Sequence, residues 1–104
     1  MAGTYTIQVD EVRNVAVDFR SVLDTDESLT GTPTITTTAG LTLASKAVST
    51  ATLTINGESV PSGKAITFSA TGVSAADYTI EIQCDTDASP AQTIIERITM
   101  TVEA

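Results

Sequence analysis

The chain has 104 residues, of which 13 are acidic and 5 basic, for a net charge of −8, and 41% are apolar. That is one domain's length with apolar content enough for a modest core, wrapped in a field that repels phosphate backbones and anionic lipid. With no histidine and a single cysteine, Cys84, the sequence excludes Ser-His-Asp and Cys-His catalysis, histidine-ligated metals, four-cysteine zinc and an intrachain disulfide. Twenty threonines against two Phe, two Tyr and no Trp favour strands with a solvated face. No apolar run reaches the roughly 18 residues of a membrane span. Met1–Tyr5 has neither a basic region nor an apolar run, so synthesis in a cytoplasm is expected, without an export signal.

Alternation with period two recurs along the chain. Tyr5, Ile7 and Val9 alternate with Thr4, Thr6 and Gln8, and Val15, Val17 and Phe19 with Asn14, Ala16 and Asp18. Residues 21–31 read as a polar loop with Asp24, Asp26, Glu27 and one apolar anchor, Leu29. Pro33 opens a threonine-rich strand around Ile35, Ala39-Gly40 turns it into Leu41-Thr42-Leu43, and a longer run from Ala47 to Ile55 follows. Asn56-Gly57 matches a type I′ hairpin turn, whose two central residues need positive φ. Then come a strand with Ile66 and Phe68 inward, a bend over 72–77, and the stripe Tyr78, Ile80, Ile82, Cys84. Cys84 reads as a small buried hydrophobe. A loop with Pro90 leads to a last strand carrying Ile98, Met100 and Val102.

These elements predict one all-β domain, an antiparallel sandwich of about seven to eight strands, because each half-apolar sheet must bury its stripe on another. The expected core is Val15, Val17, Phe19, Leu41, Leu53, Ile55, Ile66, Phe68, Tyr78, Ile80, Ile82, Ile98, Met100 and Val102. Residues 1–9 form an N-terminal strand or arm and 10–104 the domain. The arm pairs either in its own sheet or with a neighbour's edge.

Little in the sequence carries chemistry. Gly72-Val73-Ser74-Ala75-Ala76 brushes against a nucleophile elbow but lacks its helix and its histidine. Asp24-Asp26-Glu27 and Asp85-Asp87 lack the glycine and closing glutamate of a calcium loop and read as solvated carboxylates. No cofactor and no metal are expected.

Two resemblances sharpen the picture. Gly72 to Ile82 resembles the corner and strand near the end of immunoglobulin-like domains, where a tyrosine, here Tyr78, ties its hydroxyl back to the corner. The spacing to Cys84 departs from the antibody pattern, which points to disulfide-free immunoglobulin-like sandwiches. Asp10-Glu11-Val12, Val17-Asp18-Phe19, Ala39-Gly40-Leu41-Thr42 and Glu96-Arg97-Ile98-Thr99-Met100-Thr101-Val102 resemble, in order, a family of small tailed-phage virion proteins. Phe19 replaces that family's usual Trp. This resemblance implies a non-enzymatic accessory protein of the virion, binding the capsid as a decoration or cement protein, in many copies or as a homo-oligomer, against major capsid or tail proteins. A tail or fibre-tail adaptor is the alternative, and an adhesive or carbohydrate-binding immunoglobulin-like module is the alternative of another class. Neither nucleic acid nor membrane is an expected partner. Contacts are expected from Tyr5, Ile7 and Val9 on the arm, from Asp24, Asp26, Glu27 and Leu29 in the acidic loop, and from Asn56 and Lys64 around the hairpin.

Overall fold

A computed structural model describes residues 4–104. It has nine strands among the described residues: β1 (Thr4–Gln8), β2 (Val12–Asp18), β3 (Leu29–Thr36), β4 (Leu41–Val48), β5 (Leu53–Ile55), β6 (Glu58–Val60), β7 (Ala65–Gly72), β8 (Ala76–Thr86) and β9 (Thr93–Glu103). One 3-10 turn, Arg20–Val22, follows β2. The protein is all-β, with a four-stranded sheet ordered β1-β9-β8-β3, a three-stranded sheet β2-β7-β4, and a hairpin β5-β6.

The expectation of purely antiparallel pairing is corrected at one place. β1 runs parallel to β9, from Thr4↔Thr99 to Gln8↔Glu103, which makes the larger sheet mixed. The first strand thus pairs within its own chain, and Thr4–Gln8 of the expected arm belong to a sheet, residues 1–3 lying outside the described residues. At its end the chain crosses to the other sheet through Asp10, whose φ is 72°. Asp10 N–H donates to the Gly72 carbonyl at 2.9 Å and Gly72 N–H to the Glu11 carbonyl at 3.2 Å. A Cβ on Gly72 would lie 2.7 Å from the Gln8 carbonyl oxygen, so this close crossing requires glycine there.

The inward stripes of both sheets meet in one cluster that includes Ile7, Val15, Val17, Phe19, Ile66, Phe68, Tyr78, Ile80, Ile82, Cys84, Ile98, Met100 and Val102. Leu53 and Ile55 are corrected from core to half-buried. The run from Ala47 to Ile55 is broken: β4 ends at Val48 and Ser49 bonds the loop, its carbonyl accepting from Gly63 N–H at 3.0 Å. β5 is thereby displaced into the separate hairpin, whose anchor is the fully buried Val60 on β6. Asn56 and Gly57 have φ of 51° and 80°, and Ile55 pairs with Glu58, as a two-residue primed turn demands. The Tyr78 hydroxyl donates to the Ser74 carbonyl at 2.7 Å, tying the start of β8 to the bend before it.

Candidate functional site

The acidic loop folds inward on itself. Asp24 N–H donates to Glu27 Oε1 at 3.1 Å and Glu27 N–H to the Asp24 carbonyl at 3.0 Å, closing a turn. Glu27 is only 5% exposed, so the solvated carboxylate expected there is corrected: the turn pulls the side chain beneath the loop. The Lys64 ammonium donates to the Glu27 carbonyl, and to the Thr25 carbonyl at 3.4 Å. Asp87 accepts from Ser28 N–H at 2.8 Å and Asp85 from the Thr93 hydroxyl at 2.7 Å. Asp87 thus ties two loops together, while Asp85 bonds its cross-strand neighbour where β8 and β9 end their pairing. Among the described residues, no group of three or more metal-ligating side chains converges.

A shallow cleft of about 280 Å³ lies beside this loop, lined by Arg20, Leu23, Asp24, Thr25, Pro61 and Lys64. Its cations are already engaged. Arg20 holds Asp18 through Nε and Nη2, the latter at 2.8 Å, and reaches the hairpin through the Ser59 carbonyl at 3.1 Å and Glu58 at 3.2 Å. The hydrogen bonds from Arg20 keep the Asp18 carboxyl below its ordinary value. Burial raises the pKa of the Cys84 thiol, which disfavours the thiolate.

The nine residues expected to contact partners divide accordingly. Ile7, at 2% exposed, and Leu29, at 5%, point inward on their strands and pack in the core, and Glu27 is buried beneath its loop. Tyr5 and Val9 are half-buried against the same core, and burial raises the Tyr5 hydroxyl's pKa. Lys64 is half-buried and turned onto the loop; Asp24, Asp26 and Asn56 are exposed. The fold brings Lys64 to the loop carbonyls, while Asn56 occupies the tip of the separate hairpin.

Two further surfaces are formed mostly by other residues. The first is the outer face of the four-stranded sheet. Its cross-strand rows read Thr36–Glu81–Arg97, Thr34–Gln83–Ile95, Thr30–Asp85–Thr93, and Thr79 beside Thr99. Arg97 pairs with Glu81 at 2.9 Å within the face, and Ile95 is 46% exposed. The inward stripe Tyr78, Ile80, Ile82, Cys84 leaves Thr79, Glu81 and Gln83 outward, and it is the strand order that brings the residues of β3 and β9 beside them. The second is the open edge of β2, flanked by a groove of about 330 Å³ between β1 and β2. An open edge is a property of strand order, so no local sequence signal marks it.

No family model and no curated protein matches the chain. Among solved structures it is similar to the solution structure of amebosin, at 14% identity over 96% of this chain and 88% of that chain, with a TM-score of 0.39. A likeness of that size bears on neither its fold nor its function.

Proposed function

We propose that the chain is a non-enzymatic structural protein of a phage particle, an immunoglobulin-like β-sandwich that decorates the capsid. The strand order supports the sandwich: β2, β7 and β4 take the places of strands B, E and D, and β3, β8 and β9 those of C, F and G. The Tyr78–Ser74 hydrogen bond supports it too, being the tie expected of a tyrosine corner. The virion reading rests on the sequence resemblance over residues 10–102. Several matched positions are core residues: Val17, Phe19, Leu41, Ile98, Met100 and Val102.

The observation that carries a surface-binding role is the outer face of the four-stranded sheet. Its exposed side chains are mostly short, with Thr34, Thr36, Thr79, Thr93 and Thr99 among them. Long Lys, Arg, Gln and Glu side chains lose the most rotamer freedom when immobilised, so a threonine face docks on a broad repeated surface at low entropic cost. The test is mass spectrometry of purified particles, with the chain expected in stoichiometric amount. The double variant Thr79→Arg, Thr99→Arg should fold and fail to join them. Absence of the wild-type chain from particles, or full incorporation of the double variant, would defeat the reading. Labelled protein found on tails would favour the adaptor role.

A further inference from the structure

β2 is paired on one side only. Phe19 N–H donates to the Lys64 carbonyl at 2.9 Å and Gly72 N–H to the Glu11 carbonyl at 3.2 Å. Between these bonds the register runs unbroken from Val12↔Thr71 to Asp18↔Ala65. Bonding residues alternate along an antiparallel ladder, so the odd-numbered residues of β2 exchange bonds with β7. The N–H and C=O groups of Val12, Asn14 and Ala16 therefore point the other way, where no strand is hydrogen-bonded to β2 among the described residues.

The other edges of the two larger sheets are guarded at β3 and β4, and in part at β1. β3 carries Pro33 and a register shift between Thr30 and Thr34. β4 bulges between Ala44 and Ala47, with Ser45 at φ 55° and Lys46 beside it. On β1, the Gln8 N–H is taken by the Glu11 carboxylate at 2.9 Å. Bulges, proline, charge and covered donors are the means by which edge strands avoid one another. β2 has neither bulge nor proline, and its two charges are held locally, Arg13 by Glu11 at 2.6 Å and Asp18 by Arg20 at 2.8 Å.

We propose that β2 pairs with β2 of a second copy of this chain, antiparallel about a two-fold axis at Asn14, joining the two three-stranded sheets into one. The segment is complementary to itself in that register. Val12 stands opposite Ala16, Asn14 opposite Asn14, and each open backbone donor and acceptor meets its counterpart. The Val12 side chain, 62% exposed in the single chain, gains the small Ala16 as neighbour, and the two Asn14 amides, each donor and acceptor, meet at the axis. Arg13 comes opposite Val15, so the arginines do not face each other. Asp18 comes opposite Asp10 at the periphery with its charge already offset by Arg20. The pairing is isologous and uses up the open edge of each β2, so this contact closes as a dimer and does not itself propagate into a fibre. The inference stands on edge geometry and holds whether or not the protein joins a particle.

Sedimentation of the full chain from low to high micromolar concentration tests it. The expected mass is twice 10.8 kDa, with Ala16→Lys and Asn14→Pro reduced to monomer while Thr34→Lys, on the guarded β3 edge, stays dimeric. A wild-type chain that remains monomeric throughout, or folded Ala16→Lys and Asn14→Pro chains that still dimerise, would overturn it. Hydrogen exchange on the wild-type chain gives a readout independent of any variant. The amides of Val12, Asn14 and Ala16 should gain protection as concentration rises, and unchanged exchange there would equally overturn the dimer.

Discussion

The Tyr78 hydroxyl reaches Ser74 through a crowded corner: a Cβ on Gly40 would lie 2.2 Å from that oxygen, and Gly40 has φ of 113°. Two substitutions separate the bond from the space it needs. Tyr78→Phe keeps the ring and loses one hydrogen bond, at a cost of about 1 kcal/mol. Gly40→Ala forces both a left-handed backbone and a buried ring to move, and should cost more in urea unfolding than Tyr78→Phe does. Asp18 carries a second expectation at this scale. Its pKa is lowered by Arg20, so its stabilisation is present above the unfolded carboxylate value and is lost as pH falls through the lower, folded one. Asp18→Asn should therefore flatten the fall in stability below about pH 4, measured as melting temperature against pH. Tyr78 and Cys84 were legible in the sequence because each lies on a period-two stripe. The burial of Glu27 was not, since it depends on a turn that folds the carboxylate under its own loop.

Among elements, the hairpin and the first strand differ in the same way. Asn56-Gly57 is readable because the need for positive φ is local to two residues. The parallel pairing of β1 with β9 joins the two ends of the chain, and period two fixes which side of β1 is buried without naming its partner. The same limit hid the threonine face and the open edge of β2, which arise from strand order. β1 matters to stability because Ile7 is 2% exposed in the shared core and its backbone covers one side of β9. Ile7→Ala should cost about 2–5 kcal/mol, and deletion of residues 1–9 should cost more, with loss of the cooperative transition by circular dichroism. A deletion chain as stable as the wild type would show that the pairing is dispensable.

Across the whole molecule, the charge of −8 is spread over a fold that neutralises few of its carboxylates. The arginines are consumed locally, Arg13 by Glu11, Arg20 by Asp18 and Glu58, and Arg97 by Glu81, and Lys64 caps carbonyls. Exposed ion pairs of this kind contribute about 0–1 kcal/mol each, so the sum of like-charge repulsion outweighs them. Added salt screens repulsion over a Debye length of roughly 10 Å at 0.1 M. The melting temperature should therefore rise from low to moderate sodium chloride, read by differential scanning calorimetry. The same screening acts between molecules. Two copies joined along β2 bring two charges of −8 together, while the contact is made of backbone hydrogen bonds with neutral Val12, Asn14 and Ala16 at its centre and no ion pair across it, so salt should strengthen the dimer. An interface built on ion pairs would show the opposite dependence, and sedimentation across the same salt series distinguishes the two: weakening with salt would place the contact elsewhere than the Val12–Ala16 edge.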